Sequence, residues 1–403
     1  MKKLILGIAA IFLLLLTGIY WVGVVAERET VKMFALKQQP GSESKLIRYH
    51  RGFFTATSES EVKMVLDDGQ DIVFHIFSSI QHYPYKALIK NKLVVKDELL
   101  NNKVVSYFGR EDWLVSEDEI DLFGQLSGRL MVPSGRFEST SELFLSQPLQ
   151  LDYQFNLDDY SGTVDVILEG LESRGQDTGV TFSEVKFHSN FNLLEKDDEY
   201  EYLVEIAKMT AKQAHRVIRV EEIKWQGKSY LSDKGENINS DNELSMGRYQ
   251  IGQDNSHLFT DSRIKINVKG LSAAAFERLT HDRVSEQDIA RTLSDLFAYG
   301  VQLTIADLSS QTPWGAIDGG LDLTLQEGAV LTEVLGNPFM LLDYVTGSIN
   351  LQLPEKILQQ SDLKPLLRAA LQAGFLREEG QSLHFQTQLQ LGELTVNGHN
   401  IPL

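Results

Sequence analysis

Residues 149–157 read LQLDYQFNL, and this stretch shows most directly how the chain folds. Every odd-numbered residue in it is apolar, and every even-numbered residue is polar. Successive side chains of a β-strand point to opposite faces of its sheet, so such a strand has one dry face and one wet face. The pattern predicts an antiparallel sheet with one solvated face.

The same alternation recurs along the rest of the chain, at 264–269, 301–305, 321–325, 349–353 and 383–391. Between residues 180 and 193 the apolar positions change parity, which predicts a bulge or turn at Ser183-Glu184. Clusters of glycine, asparagine and aspartate separate the stretches, as turns between strands require. We therefore predict a mainly β (α+β) fold, with one or more large, twisted antiparallel sheets.

Apolar residues at helical spacing occur late in the chain. Residues 272–279, 285–300 and 363–374 are predicted to be helical, and Ser285 with Asp288 resembles a capping box. A helix with one apolar stripe must pack on something, and the dry face of the sheet is its natural partner. We expect the sheet to curl around these late helices.

The segment 233–243, DKGENINSDNE, contains a single apolar residue. Its composition predicts a solvated loop between strands. Residues 27–403 are numerous enough for two domains of ordinary size, and such a loop is a natural place to divide them. The sequence thus allows two lobes, with a boundary near 230–245.

Residues 4–25, LILGIAAIFLLLLTGIYWVGVV, carry no charge and have the length that a helix needs to cross a bilayer. Lys2 and Lys3 precede them, which keeps residues 1–3 in the cytoplasm, and Tyr20 and Trp21 suit the far interface. The prediction is a single-pass inner-membrane anchor with residues 27–403 in the periplasm. The alternative is a signal peptide that is cleaved after Ala26.

Composition restricts the chemistry of the exported part. The chain has no cysteine, which excludes disulfides and thiolate metal sites. Its net charge is −18, and Lys2 and Lys3 are the only charged residues before residue 27, so the exported part carries −20. An acidic surface argues against nucleic acid as a partner.

No motif in the chain indicates a known chemistry. The serine in residues 124–128, GQLSG, is one position late for a nucleophile elbow. Residues 233–243 place neither glycine nor glutamate where an EF-hand needs them. The acidic run at 117–121 is interpreted as a solvated face. We predict a non-enzymatic protein without catalytic residues, cofactor or metal, although a carboxylate pair for hydrolysis of an envelope polymer stays an alternative.

Two segments at the ends of the chain resemble one family. Residues 48–55, RYHRGFFT, resemble the Y-x-R-G-x-F-S/T signature of the YdgA-like inner-membrane-anchored bacterial envelope proteins, and residues 396–403, VNGHNIPL, resemble their N-G-x-x-I-P-L ending. The segment LSAAAFERL at 271–279 also fits, whereas residues 82–84, His-Tyr-Pro, differ from the usual His-Gly-Pro. The resemblance implies an anchored envelope protein and supplies no catalytic residue.

The motif residues are predicted to have structural roles. Tyr49 and Phe53 share parity and are expected to be buried together, while Arg51 is expected to bind a carboxylate or a carbonyl. Gly52 would allow a close backbone contact, and Asn397-Gly398 would form a type I′ turn. The complete set of motif positions is Tyr49, Arg51, Gly52, Phe53, Asn397, Gly398 and Pro402.

Two functions follow from a one-sided sheet beside a membrane anchor. The first is a membrane-tethered periplasmic protein that binds lipid or another apolar ligand in a groove lined by the sheet. The second is a structural or protein-interaction module, acting through envelope proteins or self-association, whose dry face is filled by its own helices. The volume left open along the dry face separates the two.

Overall fold

The computed structural model describes residues 2–35, 42–65, 71–156, 158–192, 199–214, 216–232, 235–252, 257–281, 286–328, 343–359, 363–390 and 392–401. Within these ranges, five α-helices accompany twenty-two strands that belong to one antiparallel sheet. The predicted mainly β fold is confirmed.

The chain divides into two compact units. Unit 1 consists of Met1–Gln176 and Glu184–Leu194, and unit 2 of Asp177–Ser183 and Glu195–Leu403. The division crosses strand β11 at Glu184, whose φ of +48° matches the interruption predicted there. The boundary expected near 230–245 instead lies inside unit 2, because the chain there turns between two paired strands.

Unit 1 is an antiparallel meander with one inserted hairpin. The order of pairing is β1-β2-β3-β4-β5-β6-β9-β10, and the hairpin β7-β8 lies beside the last residues of β10. Its elements are α1 Lys2–Ala35, β1 Ser42–Arg51, β2 Thr55–Val65, β3 Asp71–His82, β4 Lys86–Val95, α2 Glu98–Phe108, β5 Val115–Asp121, β6 Gln125–Val132, β7 Gly135–Glu138, β8 Leu143–Ser146, β9 Leu149–Asn156 and β10 Ser161–Arg174, followed by β11 Thr178–Asn192.

Unit 2 continues as long antiparallel hairpins. Each strand pairs with the next in sequence from β12 to β18, then β18 pairs with β20, which also pairs with β19 and β21. Its elements are β12 Glu199–Gln213, β13 Arg216–Leu231, β14 Asn237–Ile251, β15 Leu258–Ser272, α3 Ala273–His281, α4 Glu286–Leu296, β16 Val301–Thr312, β17 Gly315–Leu325, β18 Val345–Pro354, a 3-10 helix Glu355–Gln359, α5 Lys364–Gln372, β19 Arg377–Glu379, β20 Ser382–Gln390, β21 Glu393–Val396 and β22 His399–Ile401.

The core of unit 1 forms around the first helix, which is a correction to the expected role of the late helices. Val22, Val25 and Ala26 of α1 are almost completely buried. They pack against the inward side chains of five neighbouring strands, including Ile80 of β3. The remaining buried members of this cluster are Ala56, Ala87, Ile89, Ile120 and Leu126. The end of the segment predicted to be an anchor is therefore part of the protein core.

Among the residues that the structure describes, no helix combines the length and the apolar character needed to cross a bilayer.

The polar segment 233–243 was expected to be a loop, and this prediction was wrong for most of its length. Strand β14 begins at Asn237, and its side chains pair across the strand interface. Asp241 accepts a hydrogen bond from Asn267 at 2.5 Å, and Glu243 forms an ion pair with Arg263 at 2.5 Å. These partners let a polar strand join the sheet; Asp233 lies outside the described residues.

The late helices occur where the sequence placed them. Helices α3 and α4 contact each other and β15, while Ile357 of the 3-10 helix packs with Leu376 and Leu383 at the end of unit 2. Helix α2 was not predicted, although Asp97 caps it by accepting a hydrogen bond from the Leu100 amide at 2.7 Å. Leu100, Val104, Tyr107 and Phe108 follow helical spacing within it, a pattern that the sequence analysis did not use.

The buried position of the first helix predicts a difference between two valines of α1. Val25 is 2% exposed, and Val31, two turns later, is 49% exposed. Val25→Ala should lower the free energy of unfolding by about 1–3 kcal/mol, because it removes buried methyl groups and leaves a cavity. Val31→Ala, the matched control, should change it by less than about 0.5 kcal/mol.

Urea unfolding of the full chain in detergent measures both changes. Equal effects at the two positions would show that the helix does not pack against the sheet through Val25.

Candidate functional site

The motif residues of the first segment lie where α1 meets the sheet. The Arg51 guanidinium forms an ion pair with Glu27 at 3.1 Å and lies 5.5 Å from the centre of the Tyr20 ring. Gly52 donates its amide hydrogen to the carbonyl of Thr55 at 2.8 Å, and a Cβ at Gly52 would lie 2.8 Å from that oxygen. Arg51 and Gly52 thus have the kinds of contact that the sequence predicted.

Tyr49 and Phe53 are not buried together. Tyr49 packs against the core of unit 1, and burial raises the pKa of its hydroxyl, with the Glu27 charge adding to the shift. Phe53 is 44% exposed and lies beside Tyr20, with 6.4 Å between the ring centres. The parity argument fails because β1 ends at Arg51, so Phe53 belongs to the turn and no longer follows the strand.

Two glycines of α1 let the helix lie close to the hairpin between β3 and β4. A Cβ at Gly18 would lie 2.5 Å from the carbonyl oxygen of Pro84, and one at Gly23 would lie 2.8 Å from the His82 ring. His82 is buried, and its Nδ1–H donates to the carbonyl of Phe53 at 3.0 Å. The helix therefore packs directly against the His82–Pro84 turn.

Below the helix, unit 1 contains a cavity of about 220 Å³ with a mixed lining. Glu29 and Phe34 of α1 form part of its wall, and Ile76, Leu93 and Leu130 contribute apolar surface. Glu29 is 1% exposed and is paired with Arg28 at 2.5 Å and Lys32 at 3.4 Å. The cavity is therefore lined mainly by apolar side chains, with the buried Glu29 carboxylate among them.

A polar cluster centred on Asp118 lines one side of this cavity. Ser116 donates to Asp118 at 2.9 Å, and Asn91 and Tyr153 also donate to its carboxylate. Burial raises the pKa of Asp118 despite these donors, and burial together with the Asp118 charge raises the pKa of Tyr153. The arrangement offers hydrogen-bonding groups that can bind a small polar group, but it has no nucleophile with a paired base.

Asp118 belongs to the acidic run that the sequence analysis assigned to a solvated face, and for this residue the assignment was wrong. Glu117 is exposed, as predicted, and Glu119 is half-buried and paired with Lys86. Asp118 shares the parity of the buried Ile120, and this parity is the signal that could have identified it. Gly128 opposite completes the site, because any Cβ there would lie 2.5 Å from both Asp118 and Tyr153.

A second candidate site is the apolar face of unit 2. One row of residues in mutual register, here called the apolar row, crosses eight neighbouring strands from β12 to β20. A parallel row runs through Ile266, Ile305, Leu321 and Ile349. The apolar row consists of Val204, Trp225, Leu244, Ile264, Leu308, Gly319, Leu351 and Phe385.

The side chains of the apolar row are exposed to a degree that a packed core would not allow. Trp225 is 48% exposed and Leu308 is 36% exposed, and the others are half-buried. At the β20 end, Phe385 packs against the cluster around Ile357 and Leu383. Among the described residues, α3 and α4 contact β15, and no helix makes comparable contacts with the other middle strands.

The opposite face of the same strands is covered by charge pairs. Lys224 lies 4.0 Å from Glu205, Lys208 lies 3.1 Å from Glu221, and Glu243 pairs with Arg263. Adjacent residues such as Lys224 and Trp225 therefore face solvent on one side and apolar surface on the other. The sequence predicted these two faces, but it could not show how little of the apolar one would be covered.

The second motif segment ends unit 2. Asn397 and Gly398 both have positive φ, +46° and +82°, as the predicted type I′ turn requires. The turn joins β21 to β22, with Val396 opposite His399. Asn397 also donates to the carbonyl of Gly374 at 3.1 Å, which ties the hairpin to the end of α5. Pro402 lies outside the described residues.

Within the described ranges, no group of three or more histidine, aspartate or glutamate side chains is placed to hold a metal ion.

Comparison with known proteins gives a family and nothing closer. A family model described as a bacterial protein of unknown function (DUF945) matches residues 1–403. No curated protein and no solved structure matches the chain. A function must therefore be argued from the surfaces described above.

The polar cluster predicts how stability depends on pH. A raised pKa means that the folded state holds the Asp118 proton more tightly than the unfolded state, so this contribution is present at acid pH and is lost as the pH rises through the folded pKa. Asp118→Asn cannot titrate. The free energy of unfolding of the wild type minus that of Asp118→Asn should therefore decrease from acid to neutral pH.

Urea unfolding at a series of pH values measures this difference. Glu117→Gln changes an exposed carboxylate on the same strand and should follow the wild type. A difference that stays constant or increases with pH would contradict the buried position of Asp118.

Proposed function

The chain belongs to the bacterial family DUF945, whose function is unknown, and we propose that it is a non-enzymatic, membrane-tethered envelope protein that binds an apolar ligand along unit 2. The observation that carries the proposal is the apolar row, which is continuous in register over eight strands and is nowhere fully buried. Folded proteins rarely leave so large a contiguous apolar surface without a partner.

The shape of the row favours a chain-like ligand. Neighbouring strands lie about 4.8 Å apart, so a row across eight strands is roughly 34 Å long. It is one or two side chains wide, and its own residues carry no charge. These dimensions suit a lipid acyl chain lying across the strands better than a compact molecule.

The proposed location follows from the N-terminal residues. We assign residues 4–21 to the inner membrane, residues 1–3 to the cytoplasm and the remaining bulk to the periplasm. The support is the uncharged sequence together with the exposure of Ile11, Leu13 and Leu14, which are 60–71% exposed on the helix. Cleavage after Ala26 would separate Val22 and Val25 from the core of unit 1, which argues for a retained helix.

Ligand binding can be tested with two adjacent residues of β13. Trp225→Glu places a charge in the apolar row and should weaken binding of a fluorescent fatty acid by at least about tenfold, or about 1.4 kcal/mol. Lys224→Glu makes a comparable change on the opposite face, and its side chain is 45% exposed. It should alter the affinity by less than about twofold.

Mass spectrometry of the purified full chain supplies the direct observation. Co-purified lipid is expected with the wild type and with Lys224→Glu and should be depleted with Trp225→Glu. Absence of lipid in all three proteins, with no fatty acid binding, would refute the proposal and favour a protein-interaction module.

The proposed location predicts the result of reporter fusions. A reporter enzyme that works only in the periplasm should be active when it is fused after Ala35, and one that works only in the cytoplasm should be inactive. The reason is that Lys2 and Lys3 keep the N-terminus in the cytoplasm. Sequencing of the mature protein should give a chain that still contains residues 1–26. A mature N-terminus at Glu27 would refute the tether.

A further inference from the structure

Exposed aromatic side chains gather at one edge of unit 1. We call this group the aromatic rim, and its most exposed member, Tyr85, is 60% exposed. Single exposed apolar residues are ordinary on protein surfaces, but a group of aromatic rings is not. The rim consists of Tyr20, Trp21, Phe53, Phe54 and Tyr85.

The pairing of the strands places these rings on the same edge of the sheet. Phe53 and Phe54 occupy the turn between β1 and β2, and Tyr85 occupies the turn between β3 and β4. In an antiparallel meander, alternate turns share an edge. The backbone amide of His82 donates to the carbonyl of Phe54 at 2.8 Å, so the two turns are direct neighbours.

The first helix emerges from the sheet at this edge. Its Gly18 lies against Pro84, and the ring of Tyr20 lies 6.4 Å from that of Phe53. The tips of the β1–β2 and β3–β4 hairpins are therefore level with residues 18–20 of α1, whereas the β5–β6 tip lies further along the helix, where a Cβ at Gly124 would lie 3.3 Å from Glu29. Any surface that surrounds the helix just before Gly18 also meets these tips.

The length of the free part of the helix decides how deep that surface lies. Residues 4–17 give a helix of about 21 Å at 1.5 Å per residue, whereas the hydrocarbon core of a bilayer is about 30 Å thick. Extending the segment to Trp21 gives about 27 Å. A bilayer that covers residues 4–21 must then reach the level of Phe53 and Tyr85.

The charged groups beside the rim have partners on the protein. Arg51 is paired with Glu27 and lies over Tyr20, and Lys86 is paired with Glu119 at 2.6 Å and lies 5.7 Å from the centre of the Tyr85 ring. Paired charges cost less to bring near lipid than free ones. Aromatic rings with such cationic neighbours are characteristic of the membrane interface.

We propose that the aromatic rim sits in the interfacial layer of the bilayer, so that unit 1 rests on the membrane by its hairpin tips. The inference depends on the membrane tether under the proposed function and is independent of ligand binding by unit 2. Its occupant is the lipid interface itself, because the apolar helix continues directly from the rim.

Single cysteines can test this arrangement, since the chain contains none of its own. Phe54→Cys and Tyr85→Cys in the full chain are labelled with an environment-sensitive fluorophore. The labelled proteins are placed in phosphatidylcholine nanodiscs, with or without bromine on the lipid acyl chains. Leu99→Cys, at the opposite edge of the sheet and 75% exposed, is the control for a site away from the membrane. Leu14→Cys reports on the helix itself.

We expect brominated lipid to quench the two rim labels, with a loss of fluorescence between that of Leu14 and that of Leu99, and the rim emission to shift to the blue. Quenching at Leu14 without quenching at the rim would overturn the proposal and leave the tether intact. No quenching at Leu14 would overturn both. Rim labels that are shielded from aqueous iodide but not quenched by lipid would indicate a protein partner, and would also overturn the proposal.

Discussion

The packing of α1 against the sheet of unit 1 is the contact on which the rest of that unit depends. Val22, Val25 and Ala26 fill the concave side of five strands, and Gly18 and Gly23 bring the helix within contact distance of the β3–β4 turn. A curved sheet with one dry face cannot remain open in water. Without this helix, the inward side chains would have no partner among the described residues of unit 1.

In unit 2 the apolar face of the sheet is not covered in the same way. Its strands have equally distinct faces, and the charged face is paired residue by residue, as Glu243 with Arg263 shows. Its apolar row, however, is capped only near Phe385, by the cluster around Leu383. Among the described residues, the two units thus differ: one apolar face is filled by a helix of the chain, and the other stays partly exposed.

Much of the fold could be predicted from the sequence because it depends on local patterns. The one-sided strands, the helices near 272–300 and 363–374, and the turn at Asn397-Gly398 all follow from the spacing of a few residues. Strand β14 could not be predicted, because Asp241 and Glu243 join the sheet only through cross-strand partners that are far away in sequence. Asp118 was missed for the same reason: its place depends on Gly128 and Tyr153 opposite.

The sequence analysis assigned the whole N-terminal segment to one environment, the membrane. Its composition is that of a membrane helix throughout, and nothing in it distinguishes the residues that contact protein from those that are exposed. Leucine and valine are as well suited to a protein core as to lipid. Only the curvature of the sheet, which depends on residues up to Tyr153, selects Val22 and Val25 for the core.

The position of α1 also has a consequence for the order in which the protein is made. The helix leaves the ribosome before the strands that surround it, and those strands extend to Leu126 and Tyr153, a hundred or more residues later. Contacts so distant in sequence form slowly, since a long loop must close before they contribute. Until then the valines of the helix have no protein core to join. A lipid environment or a chaperone would have to shelter them, and unit 1 would mature only after the strand that carries Tyr153 has been synthesised.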